Sequence, residues 1–225
     1  MTLSDVRQAI ADAGLAYRGV AQVEAGEAHF NLAASSIVLV GFSGDQGWES
    51  FRASAEWSDG DANPLDRWTK RILYTITGSV GALPLFPFEG PRWWPFQKWA
   101  RKAEAVFPTP VGMLIHSKWG LWHSWRGALV LRVALDAPVP EVNNNPCVSC
   151  VEKACLKTCP VQAFKLDFYD TASCLGFLNQ SDENACMSHG CAARRACPVG
   201  VQYRYPAERA GFHMKAFRDG QARSR

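Results

Sequence analysis

The residues of this chain with the clearest chemistry are eight cysteines, all between positions 147 and 197. They form a run Cys-x2-Cys-x4-Cys-x3-Cys-Pro from position 147, a single cysteine at 174, and a run Cys-x4-Cys-x5-Cys-Pro from position 186. Thiolates bind soft metal ions and iron–sulfur clusters. A cubane cluster needs four thiolates converging from different directions, so three closely spaced cysteines require a fourth from elsewhere in the chain.

Two runs that each close with Cys-Pro are typical of ferredoxin-type modules with two clusters, in which the cysteine before the proline ligates the other cluster. That pattern assigns one [4Fe–4S] cluster to Cys147, Cys150, Cys155 and Cys197. It assigns the other to Cys159, Cys174, Cys186 and Cys191.

The spacing leaves alternatives open, because common bacterial runs have two residues between the first three cysteines and this chain has longer gaps. One cluster with spare thiols, a zinc site and disulfides are the alternatives. Disulfide frameworks belong to short secreted chains, and we expect no secretion signal here. His189 is a further candidate ligand that could replace one thiolate.

The composition narrows the classes of partner. The chain has 225 residues, a net charge of +3 and no dense block of lysine and arginine, so we expect no nucleic acid as main partner. No apolar window is long enough to span a membrane. We expect a cytoplasmic protein, in a compartment that keeps thiols reduced.

The elements that position the cysteines follow from hydrophobic periodicity. Short apolar runs predict strands at 18–23, 36–41, 83–88, 111–116 and 126–135. Apolar positions at helical spacing, with cap and proline signals, predict helices within 1–14, from Asn63-Pro64 onward, at 95–105 and at 206–218. We therefore predict an α+β fold in two domains: an α/β sandwich at 1–140, and a ferredoxin-like module at 141–225 after a linker at 138–146.

Aromatic residues cluster at 92–99 (RWWPFQKW) and 119–127 (WGLWHSWRG). They could fill a core or a dimer interface, or form the wall of a site for a large planar cofactor with polar edges. Among charged residues, the acidic set Glu56, Asp59, Asp61 and Asp66 is interpreted as a solvated loop. Arg194 and Arg195 raise the potential of a nearby cluster, dock an acidic donor, or are simply solvated.

Residues 115–127 (IHSKWGLWHSWRG) resemble the Ile-His-Pro-x-(aromatic)-Gly-x-Trp-x-x-x-Arg-Gly segment of the cobalamin-processing family, which decyanates and dealkylates vitamin B12 on a modified flavin-nitroreductase fold. Ser117 stands where that family often has proline. The resemblance implies a nitroreductase-like first domain and a corrinoid site whose candidate residues are His116, Trp119, Gly120, Trp122 and Arg126.

The order of the two predicted domains resembles that of the epoxyqueuosine reductases, cobalamin-dependent enzymes of tRNA modification. That family also places a lone cysteine before apolar residues between its cysteine runs, as CLGFL does at 174–178. Those enzymes are longer and carry a helical repeat region, for which 225 residues leave little room.

Together these patterns predict an iron–sulfur oxidoreductase that delivers single electrons from two [4Fe–4S] clusters to a cobalamin bound by the N-terminal domain. The alternatives are a pure ferredoxin-type electron carrier, a flavin-dependent reductase using FMN on the same fold, and a structural metal module. Expected partners are an electron-donor protein, a small-molecule cofactor or substrate and a second copy of the chain. No catalytic residue is predicted.

Overall fold

A computed structural model describes residues 2–23, 35–90, 93–138, 140, 144–165 and 168–223. Its strands are β1 (Ala16–Gln22), β2 (Ser36–Ser43), β3 (Leu83–Leu85), β4 (Val106–Pro108), β5 (Leu114–His116) and β6 (His123–Leu131). Its helices are α1 (Leu3–Asp12), α2 (Trp48–Arg52), α3 (Ala55–Ser58), α4 (Pro64–Val80), α5 (Phe96–Ala103), α6 (Ala154–Lys157), α7 (Thr171–Leu178), α8 (Ala185–His189), α9 (Ala192–Arg195) and α10 (Ala207–Arg223).

The chain forms two compact units. The first comprises Met1–Val106 and His123–Asn143, and the second comprises Phe107–Trp122 and Asn144–Arg225. The described residues form both helices and strands, which confirms the prediction of a mixed fold. The nitroreductase-like and ferredoxin-like parts of the prediction stay predictions. The domain boundary near residue 140 stays a prediction, and part of its linker, 139 and 141–143, lies outside the described residues. The sequence did not predict that residues 107–122 pack in the same unit as the cysteine segment.

The first unit contains an antiparallel sheet in the order β1-β2-β6-β3. Strand β2 lies inside it and is buried along almost its whole length, as its unbroken apolar sequence predicts. A bulge between Val40 and Gly41 shifts the register against β6. A Cβ at position 41 would lie 1.9 Å from the carbonyl oxygen of Ser124, so the close approach of the two strands requires glycine here.

Helices α1 and α5 pack on β1, and α4 packs on β6. Helix α1 begins at Leu3, because Thr2 caps it and forms a capping box with Asp5. Helix α4 begins at Pro64 as predicted and buries one face through Leu65, Trp68, Leu73 and Ile76.

Much of the aromatic surplus is core packing. Trp48, Phe51 and Trp57, on or beside the unpredicted short helices α2 and α3, pack edge to face, and Phe51 also contacts Trp68. Within the 92–99 cluster Trp99 is buried, and Arg92 lies outside the described residues. These observations favour the core interpretation for the buried Trp48, Trp68 and Trp99, whereas Trp93 is exposed.

The second unit is built from the two-stranded sheet of β4 and β5, the short helices α6 to α9 and the longer α10. Helix α6 packs on α9, which brings the first cysteine run against the second. Helix α10 packs on α8, and a Cβ at Gly211 would lie 2.9 Å from the carbonyl oxygen of Met187. No helix among the described residues is both long and apolar enough to cross a membrane.

Candidate metal centre

The cysteines lie on short helices and on the turns next to them. Cys155 is in α6, Cys174 in α7 and Cys186 in α8, while Cys191 immediately precedes α9. The N–H groups of a first helical turn have no partner within the helix and are therefore available to donate to a sulfur. All eight cysteines are free thiols.

Cys147, Cys150, Cys155 and Cys197 lie together and are called the first cysteine group. The pKa of Cys147 is raised by burial and then by the negative charges of Cys197, Cys155 and Cys150. Burial and the charge of Cys197 likewise raise the pKa of Cys155. The structure thus brings the last cysteine of the second run to the first three cysteines of the first run, as the Cys-Pro pattern predicts.

Cys159, Cys174, Cys186 and Cys191 line one cavity and are called the second cysteine group. The other residues around this cavity are all apolar, among them Phe164, Leu178 and Met214. Burial raises the pKa of Cys191, and the nearby charges of Cys186 and Cys174 raise it further. An apolar lining of this kind excludes water and strengthens electrostatic interactions at the sulfurs.

Several sulfurs accept hydrogen bonds from the backbone. The N–H of Ala163 donates to Cys159 Sγ at 3.3 Å. Hydrogen bonds from the N–H groups of Arg194 and Ala193 lower the pKa of Cys191 against the larger, opposite effect of burial. Such donors hold negative charge on the sulfur, which is the state that a metal-bound cysteine needs.

The two groups are compatible with iron–sulfur clusters. A zinc ion holds each thiolate at about 2.3 Å, so its ligands crowd around one point. Within the described part of the chain, no three Cys, His, Asp or Glu residues are close enough together to hold a single ion. A cubane cluster fills the space between its four thiolates, which therefore stay farther apart. Four thiols around an apolar cavity suit such a cluster. His189 is exposed beside Ser188, 2.7 Å from its hydroxyl oxygen.

Three of the five predicted corrinoid-site residues share one turn. The His116 ring stacks on Trp119 with centroids 4.0 Å apart, and its Nδ1 accepts the N–H of Lys118. Gly120 has φ 58°, and a Cβ there would lie 2.0 Å from the carbonyl oxygen of Val199. This turn therefore packs closely on the backbone that follows Cys197.

The other two residues follow this turn in the chain: the N–H of Trp122 donates to the carbonyl oxygen of Trp119 at 2.9 Å, and Arg126 lies on β6. Trp122 is only 2% exposed, and its ring packs edge to face on Tyr205 in the second unit. Arg126 belongs to the first unit, where it forms an ion pair with Asp66 and a 3.4 Å hydrogen bond to Thr69. Within each unit the structure supplies packing partners for these two side chains, and whether the five residues bind a corrinoid stays a prediction.

Two interpretations of charged residues were wrong. Glu56, assigned to a solvated loop, is buried and accepts two hydrogen bonds from Arg71. The solvated interpretation was also wrong for Arg194, which lies 4.7 Å from the ring centroids of both Trp122 and Tyr205 and donates to the carbonyl oxygen of Leu121. Its effect on the potential of a cluster and its docking of a donor stay predictions. Sequence position alone does not show these partners, because they come from other elements.

The sequence-based prediction also missed a buried polar network and a tyrosine. Arg18, on β1, bonds to Glu104 and to the ring of His123. Burial raises the pKa of Glu104, and Arg18 acts against that rise. Tyr169 lies beside the second cysteine group. The sequence feature that could have pointed to this tyrosine is the Phe-Tyr-Asp run. Asp170 of that run caps the helix that carries Cys174.

Comparison with known proteins gives a similarity at the level of structure alone. No family model matches the chain, and no curated protein matches it. A solved epoxyqueuosine reductase with a modified tRNA stem loop shares 14% identity over 79% of this chain and 52% of its own, with a TM-score of 0.48. An epoxyqueuosine reductase from Bacillus subtilis matches with the same identity and coverage and a TM-score of 0.49.

A selenomethionine-labelled epoxyqueuosine reductase is similar at 14% identity, over 80% of this chain, with a TM-score of 0.47. The chain spans about half the length of the structures that it matches. All three structures are epoxyqueuosine reductases, the enzymes whose order of domains the sequence resembles. At TM-scores below 0.5 this similarity does not determine the activity of the present chain.

Proposed function

We propose that this chain is an iron–sulfur electron-transfer protein whose first and second cysteine groups each hold a [4Fe–4S] cluster. The supporting observation is the exchange between the two runs: Cys197 joins the first group, and Cys159 joins the second. A zinc site or spare thiols would not require this interlocked arrangement, whereas two neighbouring clusters use it to complete both ligand sets.

A bound cluster supplies one-electron chemistry, and the chain supplies its surroundings. Ala193 is fully buried and packs in one core with Cys197, while Cys147, Cys155, Cys159 and Cys191 pack against that core. Members of both cysteine groups thus share one apolar core. This shared packing supports stepwise transfer of single electrons between two centres.

We further propose a corrinoid as the electron acceptor, because reductive cobalamin chemistry consumes single electrons. Support comes from the resemblance of residues 115–127 to the cobalamin-processing segment. The stacked pair of His116 and Trp119 offers an aromatic, partly exposed surface on a turn that packs beside Cys197. The donor is proposed to be a redox protein.

The test of the clusters is iron and sulfide content, with absorption and EPR spectra, on protein purified without oxygen. The parent is expected to contain about eight iron ions per chain, and the Cys155→Ser and Cys191→Ser variants about half of that. Ser149→Ala, in the loop between Cys147 and Cys150, is the matched control and should keep the full content. Unchanged iron in either cysteine variant would contradict the ligand assignment.

The test of the acceptor adds cob(II)alamin and a low-potential reductant to the loaded protein. A shifted corrinoid spectrum that weakens in Trp119→Ala at unchanged iron content would support the proposal. If the corrinoid spectrum does not change while the cluster absorption band is intact, the protein is a pure electron carrier. If added FMN is reduced instead, the protein is a flavin reductase.

A further inference from the structure

Residues 147–153, which we call the valine loop, expose apolar side chains beside the first cysteine group. Val148 and Val151 directly follow Cys147 and Cys150, and they are 84% and 90% exposed. No other large apolar residue in the part of the chain that the structure describes is as exposed. A single exposed valine is ordinary, whereas apolar groups that are exposed together mark interaction sites. The valine loop is therefore a candidate contact surface.

The conformation of the valine loop is determined at both of its ends. The carbonyl oxygen of Asn145 accepts the N–H of Val148 at 3.0 Å, and its side-chain oxygen accepts the N–H of Cys147 at 2.9 Å. Lys153 has φ 41°, a left-handed conformation that is uncommon for a residue with a Cβ, and α6 begins directly after it. A loop that is already ordered presents its valines at a lower entropy cost of binding.

The charge around the valine loop is positive. In segments 144–160 and 197–205, which carry the first cysteine group, the charged residues are Glu152, Lys153, Lys157 and Arg204. All four are exposed. Three cations and one anion leave a net charge of +2. The single carboxylate is paired, because Glu152 Oε2 lies 3.6 Å from Lys157 Nζ.

Two of these cations lie near the thiols themselves. Burial and the neighbouring cysteines raise the pKa of Cys147, and the charge of Lys153 opposes that rise. Burial likewise raises the pKa of Cys197, and the charge of Arg204 opposes it. Cys147 is only half-buried. A protein bound to the valine loop would therefore lie close to the first cysteine group, with positive charge facing it.

We propose that the valine loop, with Lys157 and Arg204 at its rim, docks an acidic redox protein that donates electrons to the first centre. This inference rests on the proposed function and names the chemistry of its donor. One electron passes from the reduced donor to the oxidised cluster, and no bond forms or breaks. Apolar groups inside a polar rim are usual in protein interfaces, and small contact areas are typical of transient electron-transfer complexes.

Nucleic acid fits this surface less well than an acidic protein does. Nucleic acids are bound mainly through many contacts between cations and phosphates. The valine loop and its rim offer three cations, one of which is paired with a carboxylate. The exposed valines between them would have no role in such contacts.

The test is stopped-flow reduction of the iron-loaded protein by a reduced, acidic [2Fe–2S] ferredoxin at increasing concentration, which gives a dissociation constant and a limiting rate. Val151→Glu is expected to raise the dissociation constant about five- to tenfold, and Lys157→Gln about two- to fivefold. The limiting rate and the iron content should match the parent, because docking and not the cluster is changed. Added salt should weaken binding to the parent more than to Lys157→Gln.

Val133→Glu and Lys215→Gln are the matched controls, because Val133 is 47% exposed in the first unit and Lys215 is exposed on α10. Both should bind the ferredoxin as the parent does. An unchanged dissociation constant in Val151→Glu or in Lys157→Gln would overturn the proposal.

Two further outcomes would assign the surface to another occupant and would also overturn the proposal. One is displacement of the ferredoxin by an equimolar RNA hairpin, which would indicate nucleic acid. The other is a parent dimer in sedimentation that Val151→Glu dissociates, which would indicate a second copy of the chain. A parent protein without iron would instead overturn the proposed function, so the two failures are distinguishable.

Discussion

At the scale of single residues, Glu56 depends on one arginine for its charged state. The carboxylate is 8% exposed, and its oxygens accept hydrogen bonds from Arg71 Nε at 2.5 Å and Nη2 at 2.9 Å. These hydrogen bonds lower the pKa of Glu56 from 4.5 to about 2, against the opposing effect of burial. Because the folded-state pKa is depressed, the stabilisation is fully present above pH 4.5 and is lost as the pH falls through about 2.

We therefore expect Glu56→Gln to lower the free energy of unfolding at pH 7 by about 1–2 kcal/mol, since Arg71 is half exposed and water screens the pair. The parent should lose stability between pH 4.5 and 2 more steeply than the variant. Urea unfolding across this pH range measures both quantities. Glu49→Gln is the control, because Glu49 is 80% exposed and 3.4 Å from Arg52. Equal pH slopes for Glu56→Gln and the parent would contradict the assignment.

At the scale of elements, the contact between β2 and β6 depends on the absence of a side chain at Gly41. A Cβ there would meet the Ser124 carbonyl carbon and oxygen at 2.9 and 1.9 Å, which are backbone atoms of the paired strand and cannot rotate away. By contrast, Gly78 is in the last turn of α4 with nothing within 4 Å of an added Cβ. The same substitution should therefore have opposite effects at these two positions.

Gly41→Ala is expected to destabilise the protein by about 2–4 kcal/mol through overpacking and loss of strand register. Gly78→Ala should instead stabilise it by about 0.5–1 kcal/mol, because alanine loses less backbone entropy in a helix. Thermal unfolding of the two variants beside the parent measures both effects. A Gly41→Ala protein as stable as the parent would mean that β2 and β6 tolerate a wider separation.

At the scale of the whole molecule, the cysteines are confined to one of the two compact units. All eight lie in the second unit, where Cys186 and Cys197 are buried members of its cores. The first unit has no cysteine and builds its core from the sheet and α1, α4 and α5. Removal of metal should therefore affect the two units differently.

We expect chelation of iron without oxygen to expose α7 and α8 to hydrogen exchange while β2 and β6 stay protected. The reason is that chelation would remove the proposed cluster from the cavity of the second group and withdraw binding free energy that contributes to folding. Hydrogen exchange followed by mass spectrometry measures this for each segment, with iron-saturated chelator as the control. Equal loss of protection in β2 and α7 would show instead that the whole chain unfolds with its metal.

Much of the fold could be predicted from local patterns. The apolar run of β2, the Asn-Pro start of α4 and the last helix are each determined by neighbouring residues, and each is present. Helices α2 and α3 were missed because four or five residues are too short for periodicity to show. The site was predictable in its cysteines, whose type and spacing are visible, but not in Tyr169, because only the fold brings its ring beside them.

By itself, the sequence identified the candidate thiol ligands and predicted that the two runs exchange one, because thiolate chemistry and Cys-Pro spacing are local properties. Only the tertiary structure decided which charges are paired. Arg126 meets Asp66 and Arg18 meets Glu104 across long separations in the chain, and the half-buried Arg194 packs against the rings of Trp122 and Tyr205. Burial and long-range packing set these partners, and neither is encoded in any short stretch of residues.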